Sequence, residues 1–170
     1  MEGREKLAAV FAGERVAKVP FALKGWRIPQ CEDERALRNR GLCILDSRPV
    51  YSVASPHTSC ETREFTRDGA SYRRTVIQTP RGPLSSLVKQ VPSPRSESTS
   101  WREEMLFKGP DDYAALEFML RDRQFAPAYE SFLLAQDRVG ADAYFKTVAP
   151  GAPLHDIMYG LMGLETFSIL

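Results

Sequence analysis

The sequence predicts an α/β protein: a parallel sheet built from βα units, with an antiparallel meander in the middle of the chain. Three observations lead there. Strand-like runs alternate with helix-like runs at both ends of the chain, which is the pattern of βα units. Between them, Asp68-Gly69 separates two partly alternating runs, Cys60–Phe65 and Tyr72–Thr79, a strong hairpin signal. With 170 residues, 43% hydrophobic and 26% charged, the chain is long and apolar enough to bury a core as one domain.

The elements follow in order. Leu7, Val10 and Phe11 share one face of an opening helix, and Gly13 suits its end. Val16–Leu23 reads as a short apolar strand containing Pro20, and Gly25-Trp26-Arg27-Ile28-Pro29 as the loop after it. Asp33 to Arg40 reads as a short charged helix ended by Gly41. Leu42–Leu45 is a second buried strand, closed by Asp46. Residues 58–91 form the meander: the two runs above, a turn at Thr79-Pro80-Arg81-Gly82-Pro83, and a returning strand from Leu84 to Val91. Residues 92–100, rich in Ser and Pro, read as a linker. Gly109-Pro110-Asp111-Asp112 starts a helix, with Pro in the first turn and acids at the positive end of the dipole. Tyr113, Leu116 and Leu120 carry its apolar stripe. Tyr129, Phe132, Leu133 and Gln136 mark another helix, capped by Gly140. Ala143–Val148 reads as a strand, Ala149–Pro153 as a loop, and Leu154–Leu161 as the start of a further helix. No internal repeat is visible.

Composition narrows the function. A net charge of +1 leaves no electrostatic footprint for nucleic acid or an anionic membrane. No apolar run approaches a spanning helix in length. Residues 1–6 alternate in charge with no signal-peptide core behind them, so the expected compartment is cytoplasmic. Cys31, Cys43 and Cys60 are odd in number and dispersed, and are expected to be free structural thiols. His57 and His155 are the only histidines, so no metal site is expected from these residues.

Four strings then carry a resemblance. They are Arg4-Glu5-Lys6-Leu7 with a Gly-Glu turn and Val19-Pro20; Arg48-Pro49-Val50-Tyr51 with the hairpin and Thr79-Pro80-Arg81-Gly82-Pro83-Leu84; Phe107-Lys108-Gly109-Pro110-Asp111-Asp112-Tyr113; and Ala152-Pro153-Leu154 running to Tyr159, with Met162-Gly163-Leu164-Glu165 beyond. In this order, over essentially the whole chain, they resemble the uroporphyrinogen decarboxylase superfamily, which also includes cobalamin-dependent methyltransferases. The likeness is greatest to branches with an antiparallel insertion. It implies a TIM (β/α)8 barrel, which typically takes about 250 residues. The chain is then expected to be the N-terminal part of such a barrel, interrupted by the insertion. Two open sheet edges and one uncovered core face would be left for a missing C-terminal half or for a homodimer partner.

Active sites in such barrels lie at the C-terminal ends of the strands. That selects Lys24, Trp26 and Arg27 after the first strand, Asp46 and Arg48 after the second, and His155, Asp156 and Tyr159 after the third. In the decarboxylases two arginines flanking a Gln-Ala-Gly stretch hold a polycarboxylate tetrapyrrole. Leu23-Lys24-Gly25-Trp26-Arg27 is similar, with Lys24 near the first arginine and Arg27 near the second. Lysine is a departure, since a point charge cannot give the forked contact of arginine. Asp46 resembles the aspartate that organises the pyrrole N–H groups, as an acceptor-only carboxylate can. Gly151-Ala152-Pro153 followed by Tyr159 resembles the segment carrying a substrate-contacting tyrosine. His155, one turn earlier on the same helix face, is a candidate for proton transfer. Each also has a plain structural reading: solvated charges around a packed indole, a turn aspartate, a rim tyrosine, a surface histidine.

The resemblance thus implies a lyase that decarboxylates an anionic tetrapyrrole or related substrate without a cofactor, by placement and charge stabilisation. The alternative within the superfamily is a corrinoid-dependent methyltransferase, using zinc and a corrinoid partner. Its His-x-Cys and distant Cys ligands lie in the second half of the family barrel and are not supplied by this chain. A non-catalytic binding module is the third reading.

Overall fold

The structure is a computed structural model that describes residues 3–91 and 99–169. The chain is a mixed α/β protein. It runs α1 (Gly3–Phe11), β1 (Phe21–Lys24), α2 (Glu32–Asn39), β2 (Leu42–Arg48), β3 (Tyr51–Ala54), β4 (Ser59–Arg67), β5 (Ala70–Thr79), β6 (Gly82–Val91) and β7 (Thr99–Glu104). It continues through α3 (Tyr113–Arg121), β8 (Gln124–Pro127), α4 (Tyr129–Val139), β9 (Ala143–Thr147), α5 (Pro153–His155), a π-helical turn (Asp156–Leu161) and α6 (Gly163–Ile169). These elements group into two compact units, residues 1–52 with 126–149 and residues 53–125 with 150–170.

The first unit is built on a parallel sheet in the order β1-β2-β9. Its strands are short, and β2 opens on three buried residues in succession, as expected of a strand covered on both faces. Alternation along the strands sorts the side chains. Leu42, Ile44 and Ala143 form the core of one face, with Leu23, Ile28 and Val139 packed against it. Phe145 points to that side and meets Phe132 of α4 edge-on, at 4.9 Å between ring centres. Tyr144 points the other way and meets Phe11 of α1 at 5.1 Å. Gly3 lets α1 approach β2: a Cβ there would lie 3.1 Å from the Gly41 carbonyl oxygen and 3.2 Å from Cys43 Cβ.

β1 begins only at Phe21, so residues 16–20 are not strand. Pro20 explains the difference, since it offers no N–H to a ladder. β2 is longer than the apolar run suggests and reaches Arg48, so Asp46 lies inside the strand rather than closing it. The short pair β3–β8 was not legible in the sequence. All of β8 is exposed.

The second unit holds the antiparallel sheet β4-β5-β6-β7. Asp68 and Gly69 form the two-residue turn joining β4 to β5, with φ of 51° and 71°. Positive φ at both positions is the geometry of a type I′ turn, which matches the strand twist. The meander gains a fourth strand, β7, and the ladder is irregular at Leu87/Val88. Of the expected linker, residues 92–98 lie outside the described residues, and 99–100 belong to β7.

α3 packs against this sheet, and its stripe differs from the expected one: Ala115, Leu116 and Met119 are buried, while Tyr113 and Leu120 are exposed. These three join Leu84, Phe107 and Met162 in the unit's core. Leu84 and Phe107 have no exposed surface, and each such side chain stabilises by about 1.5–3 kcal/mol. The expected helix over 154–161 is instead one α turn followed by a π turn. No helix among the described residues is long and apolar enough to cross a membrane.

Candidate functional site

In the first unit, the last residue of β1 and the turn that follows it form a clamp. Trp26 is half exposed in a 3₁₀ turn, Gly25–Arg27, that leaves the C-terminal end of β1. The Arg27 guanidinium lies 4.4 Å from the indole centre, and the Lys24 ammonium lies 5.8 Å away. Both distances are within cation–π range. The half-exposed indole thus gathers two cations beside it, an arrangement that suits a flat anion.

Asp46 does not join this clamp. It pairs in register with Phe145, and so shares the face of Ile44, Phe145 and α4, whereas Lys24 follows Leu23 onto the opposite face. There Asp46 lines a cleft of about 530 Å³ with Arg35, Arg38 and Arg138. One of its carboxylate oxygens accepts the Ser47 N–H at 2.7 Å. In the same cleft, buried Glu34 is ion-paired with Arg38 one helical turn on. Arg48 is exposed at the end of β2, opposite Thr147 of β9.

In the second unit, His155 and Tyr159 come together as the sequence suggests, with ring centres 4.8 Å apart at 37°. Asp156 is the acid nearest His155, at 3.7 Å. Tyr159 lies on the π turn, whose widened backbone is held by Arg102: its guanidinium donates to the carbonyls of Tyr159 at 3.0 Å and Gly160 at 2.6 Å. Such turns interrupt the ordinary helical ladder and recur at functional sites.

Sequence reading missed a third cluster, His57 with Asp122. They are 65 positions apart, and no local spacing links them. The Asp122 side chain is buried and accepts from the His57 backbone N–H at 2.9 Å, the His57 ring at 2.8 Å and the Thr58 hydroxyl at 3.2 Å. Burial alone would raise its pKa, but the three hydrogen bonds more than offset that, and the carboxyl is held below its ordinary value.

The thiols divide. Cys43 is buried, and desolvation raises its pKa, which makes it a packing residue. Cys31 and Cys60 are exposed. No group of three or more His, Cys, Asp or Glu side chains among the described residues is arranged to hold a metal ion.

In comparisons with known proteins, no family model, no curated protein and no solved structure matches the chain.

Proposed function

We propose that the first unit is the opening βα portion of a uroporphyrinogen decarboxylase-like barrel, and that it binds an anionic, planar substrate at the C-terminal ends of its parallel strands. The carrying observation is the Lys24–Trp26–Arg27 clamp, which stands at the C-terminal end of β1 and holds two cations against a half-exposed indole. Further support comes from the sheet: β1, β2 and β9 are parallel and neighbour one another in the sheet in the order in which the chain supplies them, as the first three strands of such a barrel would. On this reading the antiparallel sheet is an insertion between the second and third barrel strands.

Within this reading Arg27 and Lys24 hold substrate carboxylates, and Trp26 stacks on the ring. Arg48, two residues beyond Asp46 on β2, shares the Asp46 face and is likewise left out of the clamp. His155 and Tyr159 belong to the second unit, where the Tyr159 hydroxyl and the imidazole are a candidate hydrogen-bond donor and proton carrier, and they are no part of the clamp. Asp46 stays outside it, because it opens onto the other face of the sheet.

One observation favours the methyltransferase alternative: lysine stands where the decarboxylase pattern has its first arginine. Zinc would be that reaction's thiol activator. Among the described residues no group of three or more His, Cys, Asp or Glu side chains is placed to hold it.

Uroporphyrin, the oxidised form of the decarboxylase substrate, is the test ligand. Titration calorimetry should show saturable binding that Arg27→Gln weakens roughly tenfold, the scale of one charge-assisted contact. Lys24→Arg should strengthen it by restoring a forked donor. Binding that ignores both substitutions would sink the reading.

A further inference from the structure

The cleft around His57, in the second unit, has the construction of a ligand site. Asp122 anchors it. Its side chain is 3% exposed, yet the imidazole it holds is 67% exposed. A buried carboxylate costs free energy unless its oxygens are satisfied, and here both are, by His57 and Thr58. An ionised carboxylate is an acceptor only, so the ring nitrogen 2.8 Å from it, Nδ1, carries the proton. Nε2 is then the nitrogen turned outward, with the ring's direction fixed from behind, and in the imidazolium form it is a second N–H donor.

The cleft has a volume of about 500 Å³, and its lining includes Arg81, Phe118, Arg121 and Gln124 besides the pair. Arg121 is committed to Glu117, at 2.8 Å. The Arg81 guanidinium makes no hydrogen bond or ion pair among the described residues. Its backbone is nonetheless fixed: Thr79 Oγ1 accepts the Arg81 N–H at 3.0 Å and donates to the Gly82 carbonyl at 2.8 Å. An uncommitted guanidinium on a fixed turn thus lines the same cleft as an imidazole on a fixed bearing. Forked guanidinium N–H donors and an imidazolium Nε2–H together recognise a tetrahedral or planar oxyanion.

We propose that this cleft binds a small oxyanion, a phosphoryl or carboxylate group, between the Nε2–H of a His57 imidazolium and the Arg81 guanidinium, with Asp122 as the positioning residue. The site is independent of the clamp in the first unit and holds whether or not that clamp binds a tetrapyrrole.

The chain's two histidines make the test direct. Long-range proton–nitrogen spectra of the imidazoles are recorded while inorganic phosphate, and separately acetate, is added. The His57 ring should shift saturably and His155 should not. The anion that saturates at the lower concentration then identifies the group as phosphoryl or carboxylate. Arg81→Gln, on an exposed turn, should weaken binding roughly tenfold or more without lowering the melting temperature, and Arg81→Lys should restore part of the loss. Asp122→Asn should abolish the protonated-Nδ1 signature of His57 and weaken binding. Where Asp122→Asn does not fold, Arg81→Gln decides. Equal, unsaturable shifts at both histidines, or an affinity unchanged in Arg81→Gln, would overturn the proposal.

Discussion

Gly69 and Asp122 show the two kinds of information a residue carries. Gly69 was legible because the need is local: a two-residue hairpin turn requires positive φ, and Asp-Gly supplies it. Gly69→Val should destabilise by about 1 kcal/mol or more, read as a lower denaturant midpoint with an unchanged slope. Asp122 was not legible, since its partners are 64 and 65 positions away and only the fold brings them in. Its folded pKa lies below its ordinary value, so its contribution to stability is complete above the ordinary carboxylate range and is lost as pH falls through the folded value. The stability gap between wild type and Asp122→Asn should therefore be full at neutral pH and close on acidification. A gap that persists in acid would contradict the hydrogen-bonded, ionised carboxylate. The cysteines offer a third check at this scale. A thiol reagent should label Cys31 and Cys60 in the folded protein and reach Cys43 only on unfolding.

At the scale of elements, pattern succeeded where one face or both faces are buried. The Leu42–Leu45 run, the Ala143 strand and the hairpin follow directly from apolar runs and turn chemistry. Pattern failed for β8, whose residues are all exposed and leave no apolar alternation to read. It also failed for the π turn, because a widened helical ladder has no periodic signature in so few residues. The α3 stripe was misjudged by about one position: Leu116 is buried, but its companions are Ala115 and Met119, since the face is set by what α3 packs against. Phe107, just outside any helix or strand, is the deepest test of the second unit's core. Phe107→Ala should cost about 3–5 kcal/mol, measured by denaturant unfolding. A cost below 1 kcal/mol, the scale of a surface change, would mean that the cluster around Leu84 and Met162 does not pack as described.

For the whole molecule, the parallel βα portion and the antiparallel middle were both legible, and their separation into two compact units follows that change of character. The sequence singled out Lys24, Trp26 and Arg27 through their place after the first strand, and they do cluster. It set Asp46 beside them because it ended β2 too early, and three further residues of strand leave Asp46 on the opposite face. The central claim is the anion clamp on Trp26. It is tested most directly by Trp26 fluorescence in a Trp101→Phe background, which leaves Trp26 as the only indole. Uroporphyrin should quench that emission saturably, and Arg27→Gln should move the midpoint roughly tenfold toward higher concentration. Emission unaffected by uroporphyrin, or quenched alike with and without Arg27, would contradict the account.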